Sequence, residues 1–182
     1  GRSIAAELVE NGHEVLLMSD PVDEWLVDSL GEYEGKPFVS AMRDDLDLDA
    51  VPADKAERAK PLLARMKSVL GDRVRDVAVT ARLASSPACL VLPKGAHHTP
   101  VARMLRAAGH EVPSTKRTLE VNPDSAVVTK LAAMVERGDP AADRWIETLY
   151  DQAVLAEGER PDDPVRFARR ITELLEAAAD RG

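Results

Sequence analysis

Aromatic side chains are scarce in this 182-residue chain: Trp, Tyr and Phe together make up 3% of it. Ala, Leu and Val must therefore fill whatever core it has. Cysteine is scarcer still. The single Cys89 allows no disulfide framework and fits a reducing compartment. It lies in the apolar run Ala88-Cys89-Leu90-Val91-Leu92, with nothing nearby to lower its pKa, and reads as a core thiol rather than a nucleophile. Long apolar runs are missing too: none approaches the ~20 residues that a bilayer span needs. No signal peptide precedes the first helical pattern, so the expectation is a cytoplasmic protein without membrane association. Basic charge is in deficit, with 24 Lys and Arg against 32 Asp and Glu, which argues against a general nucleic-acid binder.

What is present suits a globular protein, with 45% hydrophobic and 31% charged residues. The length allows one medium domain, or a small domain plus a fragment. Charge is unevenly spread. Residues 1–52 carry 3 basic and 13 acidic side chains, and the remainder 21 and 19. The acidic stretch Asp44 to Pro52 resists packing, and Pro52 disfavours helix before it. A boundary is expected there, dividing a small αβ piece at 1–50 from a second domain at 51–182. The chain opens inside a helical pattern (Ile4, Ala5, Leu8, Val9) and reads as a fragment.

Helix Arg2–Asn11 closes at Gly12, and Val15–Met18 is expected as a short buried strand. Helix Val22–Leu30 follows, then a possible strand at Phe38–Ala41. In the second part, Ala53–Leu70 has helical spacing, with Pro61 expected to kink it or mark its start. Strands are expected at Val74–Thr80, Ala88–Leu92 and Thr118–Val121. Thr99-Pro100, Asn122-Pro123-Asp124, Asp139-Pro140 and Asp163-Pro164 each join a capping side chain to a proline. Such pairs start helices, here near 100–108, 124–137, 140–157 and 164–179. The expected class is α+β: a small αβ piece, then a domain with a short three-stranded sheet, packed helices and a terminal helix pair.

On the first helix of that pair, Ala142, Trp145, Ile146, Leu149, Tyr150, Ala153, Val154 and Ala156 cover about half the circumference, wider than a surface helix requires. The last helix adds Val165, Phe167, Ala168, Ile171, Leu174, Leu175 and Ala178, with Arg166, Arg169, Arg170, Glu173 and Glu176 opposite. Two such helices joined by Gly158–Asp163 form a hairpin with apolar surface to spare. Two copies around a two-fold axis would make a four-helix bundle. Packing of the hairpin on its own domain alone, in a monomeric interaction module, is the alternative.

Chemical motifs are weak. Gly1–Asp20 has the helix and second strand of a dinucleotide-binding unit, so Asp20 could meet a ribose in a nucleotide-binding α/β enzyme fragment. The preceding strand and full glycine-rich turn are missing. Asp45, Asp47 and Asp49 mimic a calcium loop, but Ala50 and Ala56 occupy its sixth and twelfth positions. His97-His98 lacks a suitably spaced third ligand. No catalytic triad or metal site is expected. Val101, Met104, Leu105 and Ala108 form an apolar stripe that suits either a core or an adaptable binding surface.

Four segments in order, EVLLMSDPVDEWLVDSLGEYEGKPFVS (14–40), VLGDRVRDVAVTARLASSPACLV (69–91), LEVNPDSAVV (119–128) and LYDQAVLAEGERPDDPVRFARRI (149–171), resemble the ninety-kilodalton heat-shock chaperones, bacterial type. The resemblance covers nearly the whole chain. It identifies residues 1–50 with the end of the middle domain and 51–182 with the C-terminal dimerisation domain. It implies a homodimeric, ATP-driven chaperone acting on unfolded or partly folded clients, with ATP and Mg held outside this segment. Dimer contacts would then fall on Trp145, Ile146, Leu149, Tyr150, Ala153, Phe167, Ile171, Leu174, Leu175 and Ala178. Client contacts would fall on Trp25, Val101, Met104 and Leu105. The loop around Gly95–His98 departs from the family, which weakens the client assignment nearby. The ending Asp180-Arg181-Gly182 lacks the acidic pentapeptide by which eukaryotic relatives recruit co-chaperones.

Overall fold

The computed structural model describes residues 4–5, 8–9, 12–18, 20–42, 51–83, 85–93, 96, 104–105, 107–110 and 115–179. The helix start expected at Thr99-Pro100, and residues 44–50 of the boundary expected at Asp44 to Pro52, lie outside these residues.

Ile4, Ala5, Leu8 and Val9 are helical, and Gly12 closes the turn at φ +83°, with its N–H on Val9 and that of His13 on Leu8. Helix α1 (Pro21–Leu30) starts with a capping box: the Val22 N–H donates to Asp20 Oδ1 at 3.1 Å, and that of Asp20 to Asp23 Oδ2 at 3.0 Å. A hairpin follows, β1 (Glu32–Tyr33) antiparallel to β2 (Lys36–Pro37), turning through Glu34 and Gly35 at positive φ. This replaces the strand expected at 38–41: the Phe38 N–H is taken by Gly31 and does not extend a ladder. Val15–Met18 is not the buried strand expected either. Leu16, Leu17 and Met18 are exposed, and no described residue pairs with them in a sheet.

Helix α2 (Ala53–Leu70) runs through Pro61 unbroken. Pro61 and Glu57, whose carbonyl the ring deprives of its partner, both lie on the exposed face, where water can take the hydrogen bond. Ala59, Leu62, Met66 and Leu70 face inward. Beyond the 3-10 turn Gly71–Arg73, the sheet is built from β3 (Asp76–Val79), β4 (Ala88–Val91) and β5 (Thr118–Val121). The order is β3-β5-β4, with β5 parallel to β3 and antiparallel to β4. Helices α3 (Ala126–Glu136), α4 (Ala142–Ala156) and α5 (Pro164–Ala179) complete an α+β fold.

The alternation of strand side chains divides the interior into two layers. Val77, Ala88, Leu90, Leu119 and Val121 face a core shared with Leu62 and Met66 of α2, Val128 and Leu131 of α3, and Ile146 and Leu149 of α4. Cys89 and Val91 face the other way, into a smaller cluster with Ile4, Leu8 and Leu83. The central β5 is covered on both faces, which explains why all four of its residues are buried.

Candidate interaction surfaces

Helix α4 starts where Asp139 Oδ1 accepts the Ala141 N–H at 2.9 Å. The Arg137 guanidinium beside Asp139 holds its carboxyl below the usual range. The apolar half of α4 turns into the chain's own core. Ile146, Leu149, Tyr150 and Ala153 are buried there, and Trp145 packs half-buried against it. Burial raises the Tyr150 phenol above its usual pKa. These five positions serve the monomer's interior first.

The other side of α4 is acidic and receives α5. Asp163 caps α5 by accepting the Arg166 N–H at 2.9 Å. Arg166 then reaches both oxygens of Glu147 at 3.0 Å, and Arg170 Nη1 donates to Glu147 Oε2 at 3.0 Å. Arg170 Nη2 also donates to Asp151 Oδ2. Asp151 Oδ1 meets Arg73 Nη2 at 2.7 Å, and the Arg73 guanidinium lies 4.3 Å from the centre of the Tyr150 ring. Arg144 meets Glu173 at 2.7 Å and, as its chief cause, depresses that carboxyl's pKa. The linker is pinned as well: Arg117 forks onto Glu159 at 2.7 and 2.9 Å, and Pro161 is buried. Arg170, on the charged face opposite the apolar stripe, is only 6% exposed. The signal was present in the spacing, since Glu147 and Asp151 are four apart on one helix and Arg166 and Arg170 four apart on the next.

Docking through this edge leaves the apolar stripe of α5 aside. Phe167, Ile171 and Leu174 are half-buried, while Leu175 is 65% and Val165 80% exposed. Among the described residues, none of these belongs to either core cluster. The side chain of Ala178 lies outside the described ones. A cleft of about 440 Å³ between α2, α4 and α5 is lined by Arg65, Ser68, Asp143, Arg144 and Arg166. Each of these arginines is paired with a carboxylate, so the cleft has no spare positive charge for an anion.

Of the expected client-contacting residues, Trp25 on α1 and Met104 on a helical turn are partly exposed, and Leu105 is half-buried. Val101 lies outside the described residues. Around Trp25, Val22, Leu26, Leu30 and Tyr33 are also exposed, more apolar surface than scattered single residues would give. Burial pushes the Cys89 thiol up to about 12, away from nucleophilic chemistry. Asp20, the candidate ribose ligand, is engaged in capping α1. No group of three or more His, Cys, Asp and Glu suited to a metal occurs among the described residues. No described helix is long and apolar enough to cross a membrane.

Helix α5 thus docks by charge and leaves apolar surface beside the core. In comparison with known proteins, residues 2–181 match the family model described as Hsp90 protein, and the chain belongs to that chaperone family. Within it, the chain is of the bacterial HtpG type. It is 47% identical to the chaperone protein HtpG of Myxococcus xanthus, over 94% of this chain and 28% of that protein. It is 44% identical to HtpG of Paraburkholderia xenovorans, over 94% and 27%, and 43% identical to that of Halorhodospira halophila, over 91% and 27%. The chain thus spans little more than a quarter of the length of these relatives.

Proposed function

We propose that this chain is the homodimerising and client-contacting portion of an ATP-dependent chaperone that assists protein folding and remodelling in the cytoplasm. The observation that carries the reading is the stripe Phe167, Ile171, Leu174 and Leu175, which α5 leaves outside the core while charged contacts hold the helix in place. Two such stripes meeting about a two-fold axis would remove this surface from water and complete a four-helix bundle from α4 and α5 of each copy. Ile146, Leu149, Tyr150 and Ala153 then support the interface from beneath, and Trp145, Phe167, Ile171, Leu174, Leu175 and Ala178 stand nearest the partner. Trp25, Val101, Met104 and Leu105 offer apolar contact to unfolded clients.

No catalytic role is assigned to any residue here. ATP and magnesium are ascribed to parts of the full-length chaperone beyond this chain. Its contribution is to tether two ATPase arms, which makes their encounter intramolecular. Nucleic acid and membrane are not among its partners in this reading. Sedimentation across a dilution series tests it: a mass near twice 19.8 kDa that persists on dilution is expected. A stable monomer would overturn it.

A further inference from the structure

The acidic side of α4 does more than hold α5. We propose that the buried Asp151–Arg170 pair is a rotational key, fixing which face of α5 meets α4 and so keeping the half-buried Phe167, Ile171 and Leu174 and the exposed Leu175 available to a second copy of the chain; this rests on the dimer reading above. At 3.6 residues per turn, Leu174 lies about 40° around the helix from Arg170, Phe167 about 60°, Ile171 about 100° and Leu175 about 140°, all on the same side. A roll of roughly 80° would therefore exchange Arg170 for Phe167, Ile171 and Leu174 at the contact with α4, which would hide the part of the stripe that is still exposed within one chain.

Burial of apolar surface favours that roll. The carboxylates oppose it. Asp151 and Arg170 have side chains only 3% and 7% exposed, and Glu147 takes both Arg166 and Arg170. Rolling the helix would leave buried carboxylates short of their cations, a heavier loss than the pair itself is worth. Asp151 is also fixed from behind by Arg73, itself stacked on Tyr150. Asp151 is thus held from the 3-10 turn as well as from α5. The role of the pair is orientation, the use for which buried ionic groups are best suited.

The test compares the wild-type chain with Asp151→Leu/Arg170→Met, Arg170→Gln and Arg170→Lys by sedimentation, with thermal melts alongside. The double variant should fold and melt cooperatively while its dimer dissociation constant rises at least tenfold. A folded double variant that dimerises as tightly as wild type overturns the key. Should the double variant not fold, the single ones decide: Gln should weaken the dimer at least tenfold and Lys much less, and equal effects overturn the proposal. If the wild-type chain is itself monomeric, the dimer reading falls and the key is read by thiol labelling of Leu175→Cys. That thiol should react at least tenfold more slowly once Arg170 is Gln, and equal rates refute the key.

Discussion

Arg82 Nε lies 2.6 Å from Glu120 Oε2 in the layer between the sheet and the N-terminal segment, and Arg82 Nη1 donates to the Ala41 carbonyl at 2.8 Å. Both side chains are nearly inaccessible. One guanidinium thus joins the central strand to Ala41, and the Leu92 N–H reinforces the junction by donating to the Met42 carbonyl at 2.9 Å. Arg82→Met removes one partner and leaves Glu120 buried and uncompensated. The expected loss is about 3–5 kcal/mol, most of it recovered in Arg82→Met/Glu120→Leu. Urea unfolding of both variants measures this, and equal stabilities would contradict it.

Core and interface residues on the terminal helices should separate cleanly. Ile146→Ala opens a cavity in the chain's own core and should cost about 2–5 kcal/mol of folding stability. Leu174→Ala and Phe167→Ala should weaken association by about 2 kcal/mol, roughly 30-fold in dissociation constant. Leu175→Asp, at an exposed position, should leave stability within about 0.5 kcal/mol yet weaken the dimer. Melts and sedimentation on the same samples distinguish the two effects.

Glu157 closes α4, and burial raises its pKa above 4.5. The ionised form is therefore the disfavoured one in the folded chain. Its contribution holds below the unfolded pKa and is lost as the pH rises through the folded one. A negative charge at a helix C-terminus is unfavourable in the same sense. Glu157→Gln should stabilise the chain at pH 7 by roughly 0.3–1 kcal/mol and add nothing at pH 3. A gain of equal size at both pH values would exclude this cause.

Cys89 should resist thiol reagents in the folded chain, because its pKa near 12 leaves almost no thiolate at pH 8. Labelling should track unfolding in urea. Rapid labelling of native protein would mean that the layer between the sheet and Ile4, Leu8 and Leu83 opens readily.

Much of the fold is written in local signals. The cap at Asp163, the turn at Asp139 and the strand Thr118–Val121 each depend on a few neighbouring residues, and they fall where expected. Val15–Met18 misled because a short apolar run says nothing about whether a neighbouring strand is there to pair with it. The terminal hairpin was legible as two apolar helices, but its division of labour was not. Periodicity marks the apolar sectors of α4 and α5 without saying which one the core takes.

The sequence by itself determined the family, the α+β class, the helix starts and the stripe of α5, since each follows from residue chemistry at short spacing. Tertiary structure alone decided that the α4 sector is filled by its own core, that Arg170 is buried against Asp151, and that Arg82 links two layers. The last two outcomes depend on which charges meet across 19 and 38 residues of chain. A buried charge is stable only beside a partner that packing, not spacing, supplies.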